Sequence, residues 1–234
     1  NVSASVSYKH TRHGLFANGM VMHSWTHVPY TMAQQLYGDY VVYSYADAKN
    51  DSKMFMAMGN IGKTLDFMRG SCNVNGSFSR NESHLFSQSQ AVNSVSTGWS
   101  VGGKISGSPC RWFSFDYRID YSDSRLSMNG LSESWLSTME NELGLTFIPH
   151  RKWQWTVSGE HYRNELTENS YKNIVLLDTR LTYQLNKKIE FAASLTNILD
   201  RRSYNYTTYS ELSSFESQRQ LRGRQLLFSI TLRK

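Results

Sequence analysis

The sequence predicts an all-β fold, an antiparallel up-and-down transmembrane β-barrel wall contributing about eleven strands over residues 1–234. Three observations lead there. Apolar and polar residues alternate with a period of two along most of the chain, which sends successive side chains to opposite faces of a strand. Tight turns and longer connections take turns along the sequence, as in a meander. No unbroken apolar run reaches the ~18 residues a membrane helix needs, so any crossing of a membrane falls to strands.

Taken in order, Val2, Ala4, Val6 and Tyr8 alternate with Ser3, Ser5, Ser7 and Lys9. The run KMFMAMGNI, within 52–62, fits least well, because its methionines do not alternate with polar residues. Cys72, Val74, Gly76 and Phe78 oppose Asn73, Asn75, Ser77 and Ser79, and Trp99, Val101, Gly103 and Ile105 flank Ser100, Gly102 and Lys104. FSFDYRIDYSD, 113–123, is the cleanest case, with Phe113, Phe115, Tyr117, Ile119 and Tyr121 on one beat and Asp116, Arg118 and Asp120 on the other. Leu143, Leu145 and Phe147 then alternate with Glu140, Glu142 and Gly144; Trp153, Trp155 and Val157 with Gln154, Thr156 and Ser158. Leu177, Leu181, Tyr183 and Leu185 oppose Asp178, Arg180, Thr182 and Gln184, and Phe191, Ala193 and Leu195 oppose Glu190, Ser194 and Thr196. Leu226, Phe228, Ile230 and Leu232 close the chain against Ser229, Thr231 and Arg233. No stretch reads as a helix.

Turn residues place tight connections at TRHG near 11, GKTLDF near 62, SGSPC near 106, IPHRK near 148 and LNKK near 185. Longer loops are expected at 26–51, 82–95, 126–133, 167–172 and 203–218.

The formal charge is +6, and many of the cations sit in these short connections. Without a basic helix or an aromatic single-strand platform, no nucleic-acid partner is expected. Two cysteines, Cys72 and Cys110, allow at most one disulfide and form no metal motif. The chain opens directly on an alternating run, with no signal-peptide pattern.

A soluble β-sandwich, such as a carbohydrate-binding module, would alternate in the same way. Aromatics gathered at strand ends favour the barrel, since such rings sit at lipid head groups. The polar beats carry Asp116, Arg118, Asp120, Glu140, Glu142, Asp178 and Arg180. A lipid-facing cation near the midplane costs about 2–4 kcal/mol, so these charges are expected to face an aqueous lumen.

The C-terminal segment LTYQLNKKIEFAASLTNILDRRSYNYTTYSELSSFESQRQLRGRQLLFSITLRK resembles the end of TonB-dependent-receptor-like outer-membrane β-barrel proteins. RHGLFAN at 12–18, YVVYSY at 40–45 and SGEHYRNEL at 158–166 agree with it. The resemblance implies a barrel of about twenty-two strands with a plugged lumen. It also implies energised uptake of a large or scarce ligand across the bacterial outer membrane. Residues 1–234 would then be the C-terminal half of the barrel domain, without the plug domain. The expected partners are outer-membrane lipid, the remaining barrel strands, a plug domain or another covering protein, and TonB through an N-terminal part outside these residues. A passive porin-like channel is the alternative transport reading.

Ligand-facing loop candidates are Tyr30, Tyr37, Tyr40 and Tyr43, with Tyr45, in the 26–51 connection, and Tyr204, Tyr206 and Tyr209 in YNYTTYSELSSF. These rings suit stacking on a flat ligand. His23 and His27, four residues apart on a strand, stand roughly 13 Å from one another, too far for one ion. No metal or cofactor is expected, and no enzyme activity. His161 beside Glu160, among abundant serines, is the nearest approach to hydrolase chemistry, but no G-x-S-x-G motif accompanies it.

Overall fold

The computed structural model describes the backbone of residues 1–37, 40–47, 49–87, 90–129, 131–132, 135–167, 170–210 and 213–232. Sixteen strands occupy most of it: β1 (Val2–His10), β2 (Leu15–Val28), β3 (Thr31–Tyr37), β4 (Tyr40–Ala46), β5 (Asn50–Leu65), β6 (Gly70–Ser87), β7 (Gln90–Cys110), β8 (Phe113–Met128), β9 (Leu131–Ser132), β10 (Leu136–His150), β11 (Trp153–Thr167), β12 (Ser170–Gln184), β13 (Ile189–Thr196), β14 (Ser203–Ser210), β15 (Ser213–Gln220) and β16 (Gln225–Leu232). Eleven of them form one antiparallel meander in the order β1-β2-β5-β6-β7-β8-β10-β11-β12-β13-β16, the number expected from the alternation. The methionine-rich run is strand after all, inside β5.

The remaining strands are insertions. The β3–β4 hairpin leaves the sheet between β2 and β5 and touches β6 through Ala33 and Phe86, β9 adds two residues to β8, and β14–β15 is a separate hairpin between β13 and β16. The sheet stays open. β1 pairs only with β2 and β16 only with β13 among the described residues.

At one end the connections are tight. Gly14 closes the first with φ 56°, donating its N–H to Thr11 O at 3.1 Å. A Cβ there would lie 2.7 Å from the Thr64 Cβ, so both backbone and space require glycine. In the last turn Asn186 Oδ1 accepts from the N–H groups of Lys188 (2.8 Å) and Ile189 (2.9 Å), an Asx-type closure.

Two turn expectations are corrected. Gly62 and Lys63 lie inside β5, and the chain reverses at Asp66–Arg69; SGSPC belongs to β7, which reverses at Arg111–Trp112. Several expected loops are also strand. β6 pairs with β7 as far as Ser87 and Gln90, through the whole of 82–95 except its tip, and β11 pairs with β12 to Thr167 and Ser170.

A soluble sheet this large needs a second layer, and the described residues contain none over the apolar face. Among the described residues only Ile174 (5% exposed) and Ala192 (7%) are buried apolar side chains, while Val6 (69%) and Phe228 (77%) stand in the open. The accessible surface, 16140 Å² for 27.0 kDa, is about one and a half times the roughly 11,000 Å² of a compact monomer of that mass.

Candidate functional site

Register assigns every side chain of the meander to one of two faces, because directly opposed residues share a face. Phe113, Phe115, Tyr117, Ile119 and Tyr121 of β8 lie with Phe147, Leu145, Leu143, Asn141 and Met139 of β10. The same face continues through Trp155 and Val157 of β11, Leu181 of β12, Ala193 of β13 and Phe228 of β16. This is the apolar face.

Two aromatic belts lie on it, the upper from β2 to β8 and the lower from β8 to β13, overlapping on β8. The upper links Trp25 and His23 (ring centroids 4.0 Å apart), His23 and Phe55 (6.3 Å), and Phe55 and Phe78 (6.1 Å). It continues from Phe78 to its partner Trp99 and on to Tyr121 at 5.2 Å. The lower runs from Phe113 to Phe147 (5.0 Å) and Trp155 (5.3 Å), then from Trp153 to Tyr183 (4.6 Å) and its partner Phe191.

Neither belt keeps to one pairing row. The row of Trp25 reaches β8 at Ser127, six residues above Tyr121, and the row of Phe113 reaches β13 at Ala193, two residues above Phe191. Both belts therefore descend in the same sense, by about one residue per strand on average over the two. At ~3.3 Å per residue and ~4.8 Å between strands, the strands lean by roughly 35° from the normal to the belts. Phe113 and Tyr121 are eight residues apart on β8, about 26 Å along the strand and so about 22 Å between belts.

Above the upper belt the same face turns charged, with Lys53, Arg80, Glu82, Asp123, Arg125 and Arg163. Arg80 pairs with Glu82 at 2.8 Å, and the Arg163 guanidinium lies 4.0 Å over the Tyr171 ring. Between the belts, polar groups satisfy one another: Tyr117 Oη donates to Asn141 Oδ1 (2.8 Å), whose amide nitrogen lies 3.1 Å from His161 Nδ1. His161 thus faces away from Glu160, its neighbour in sequence. A shallow groove of about 530 Å³ follows Gly19, Gly59 and Gly76, which align across β2, β5 and β6 beside Val6.

The opposite face holds every charge expected on the polar beats. Arg118 opposes Glu142 and Asp120 opposes Glu140; Arg118 Nε also bonds Asp120 Oδ2 at 2.5 Å. Sequence reasoning set Lys104 on this beat without counting it among the lumen charges, and passed over Glu160 and Tyr162 as members of this face. Register aligns Lys104 with Arg118, and Glu142 with Glu160, which accepts from Tyr162 Oη at 3.1 Å. Gly144 leaves room for the Asp116 carboxylate, which lies over it. Directly opposed like charges are unfavourable unless wetted or countered, so this acid-rich face calls for water or a cationic partner.

Comparison with known protein families, with curated proteins and with solved structures finds no match.

Of the remaining polar-beat charges, Asp178 opposes Ser158 and Arg180 opposes Thr156, both on the polar face but away from the Arg118 group. Asp178 has a structural task. Its Oδ1 accepts the Asn197 backbone N–H at 2.7 Å, and the Asn197 side chain holds Arg201 O (2.7 Å), Arg222 O (2.8 Å) and Arg201 N (2.9 Å). This hub fastens both roots of the β14–β15 hairpin. A gap of about 220 Å³ beside it, lined by Ser158, Glu160, Leu176 and Arg222, is smaller than the ~300–1,000 Å³ of ordinary ligand pockets.

The tyrosines do not make one platform. Tyr43 and Tyr45 share one face of the β3–β4 hairpin, whereas Tyr37 and Tyr40 stack on the other at 5.9 Å; Tyr30 meets Tyr45 edge-on at 5.2 Å. Tyr204 packs 6.0 Å from Tyr162 of the polar face and accepts from Asn164 Nδ2 at 3.4 Å. The side chains of Tyr206 and Tyr209 lie outside the described residues. His27 contacts Asp51 while His23 rests on Trp25, so the two histidines have separate partners. Cys72 is opposite Ile105, five residues before Cys110 on β7, and both cysteines are free.

Proposed function

We propose that this chain forms part of the wall and the ligand-facing projections of an outer-membrane β-barrel receptor of the TonB-dependent type, serving energised uptake of an unidentified ligand. One observation carries the membrane reading. A predominantly apolar band free of Asp, Glu, Lys and Arg, about 22 Å high on β8 where the two aromatic belts bound it, backs directly onto a charged face, in keeping with the ~25 Å band and aromatic girdles of outer-membrane barrels. The lean of roughly 35° falls at the edge of the 35–45° that closed barrels adopt.

In this reading lipid covers the apolar face and water or a plug domain fills the polar side. The free edges of β1 and β16 pair with further strands, since lipid tolerates no unpaired edge. β7 spans 21 residues, about 70 Å, of which the bilayer needs only ~9–11 residues, so strands and hairpins stand well clear of the membrane as ligand-facing structure. Energised uptake, as opposed to passive diffusion, rests on the sequence resemblance alone.

Refolding tests the membrane reading. The purified chain is expected to acquire its β-structure only with detergent or lipid vesicles, and to resist carbonate extraction from vesicles. A folded, monodisperse monomer in detergent-free buffer would overturn it.

A further inference from the structure

Five of the nine methionines gather in one patch of the polar face. M-x-M on β2 and M-x-M-x-M on β5 come into register so that Met20 is directly opposite Met58 and Met22 directly opposite Met56, with Met54 next along β5. Opposed residues place their Cβ atoms about 5 Å apart, and same-face neighbours along a strand stand about 6.7 Å apart. The four Cβ atoms thus mark the corners of a rectangle across which thioethers on three flexible torsions can converge. Met58 is 41% exposed and the other three are half-buried. The surroundings are uncharged: Ser3 and Ser5 flank the patch on β1, Ser77 and Ser79 on β6.

We propose that Met20, Met22, Met56 and Met58 form a binding site for a soft monovalent cation, Cu(I) or Ag(I). Thioether sulfur is neutral and polarizable, a poor ligand for hard ions and a good one for Cu(I). No carboxylate flanks the cluster in register to recruit Ca²⁺ or Mg²⁺, and no cation opposes a positive ion. An apolar docking patch has no need of sulfur, since leucine or isoleucine would fill it as well; paired M-x-M runs in register are what a thioether site requires. The inference uses only the register of β2 and β5, so it stands apart from the membrane reading.

The test is anaerobic titration of the detergent-refolded chain with Ag(I), and with Cu(I) in competition against a chromophoric chelator. A Cys72→Ser/Cys110→Ser background removes the competing thiols. One bound equivalent is expected, with an all-sulfur first shell by X-ray absorption and no comparable uptake of Zn(II). Met20→Leu/Met58→Leu keeps volume and apolarity but removes two ligands. It is expected to weaken binding by more than the roughly 10–100-fold that losing an outer-shell partner costs a metal site. No binding by the starting protein, undiminished binding by the leucine variant, or a shell of nitrogen and oxygen would each overturn the site; the first would leave the patch as a packing surface. Should the double variant fail to refold, the absorption spectrum of the starting protein decides.

Discussion

The backbone N–H of Asn197 donates to Oδ1 of Asp178 at 2.7 Å, joining the end of β13 to the middle of β12. Asn197 holds φ 51°, a left-handed conformation that asparagine tolerates better than most residues, and is only 8% exposed. Asn197→Ala would strand buried backbone groups at both hairpin roots and cost about 1–3 kcal/mol. Denaturant unfolding in detergent should show that loss, with faster proteolysis at β14–β15. Asn197→Gly, which keeps the backbone freedom, should show it too, because the side-chain bonds are the cause.

Asp200 gives the same hairpin a dependence on pH. The Arg224 backbone N–H at 2.9 Å, and then the Arg202 guanidinium at 3.2 Å, hold its carboxyl below the ordinary value of 3.8. A depressed folded-state pKa means stabilisation that is present above the ordinary value and lost as pH falls through the lowered one. Hydrogen exchange at the Arg224 amide should therefore be protected at neutral pH and lose protection below about pH 4, after correction for intrinsic rates. Asp200→Asn should remove that acid transition; an unchanged profile would show that the contact does not govern the hairpin root.

Placing a cation on each face in turn tests which one meets lipid. Leu143 lies on the apolar face between the belts, and Glu142 beside it on the polar face. Leu143→Arg is expected to destabilise the vesicle-inserted chain by about 2–4 kcal/mol, while Glu142→Arg should cost far less. Equal penalties would contradict the assignment of faces.

Tryptophan depth provides an independent ruler. Trp99 and Trp155 belong to the upper and lower belts, whereas Trp135 stacks under Arg125 above them, 4.9 Å from its guanidinium carbon. In single-tryptophan variants, lipid brominated near the head group should quench Trp99 and Trp155 strongly and leave Trp135 bright. Quenching of Trp135 to the same degree would move the membrane boundary upward.

The meander was legible because burial of one face forces alternation, as at 113–121, and the strand count followed from it. The signal fails where the physical cause does. Beyond the upper belt both faces of β6 are polar from Glu82 to His84, so the alternation stops and ordered strand within 82–95 read as loop. In β5 the strand was legible but its signal weak for the opposite reason: Phe55 and Ala57 face one way and methionines the other, so apolar residues follow without a break. Gly62 looked like a turn, yet it is buried in mid-strand opposite Phe16. The polar-face charges were legible one by one, but the work of Asp178 depends on Asn197, nineteen residues away, and no local pattern encodes it.

The hydrogen-bonded ladder between β6 and β7 continues without interruption from Ser71↔Ser106 to Ser87↔Gln90. Such a rod cannot collapse or wander as a coil of equal length would, so much of the disorder a visiting molecule must otherwise quench has been removed during folding. In the proposed receptor, capture at its far end would accordingly be quick and shape-selective, with little rearrangement of the stalk that presents it.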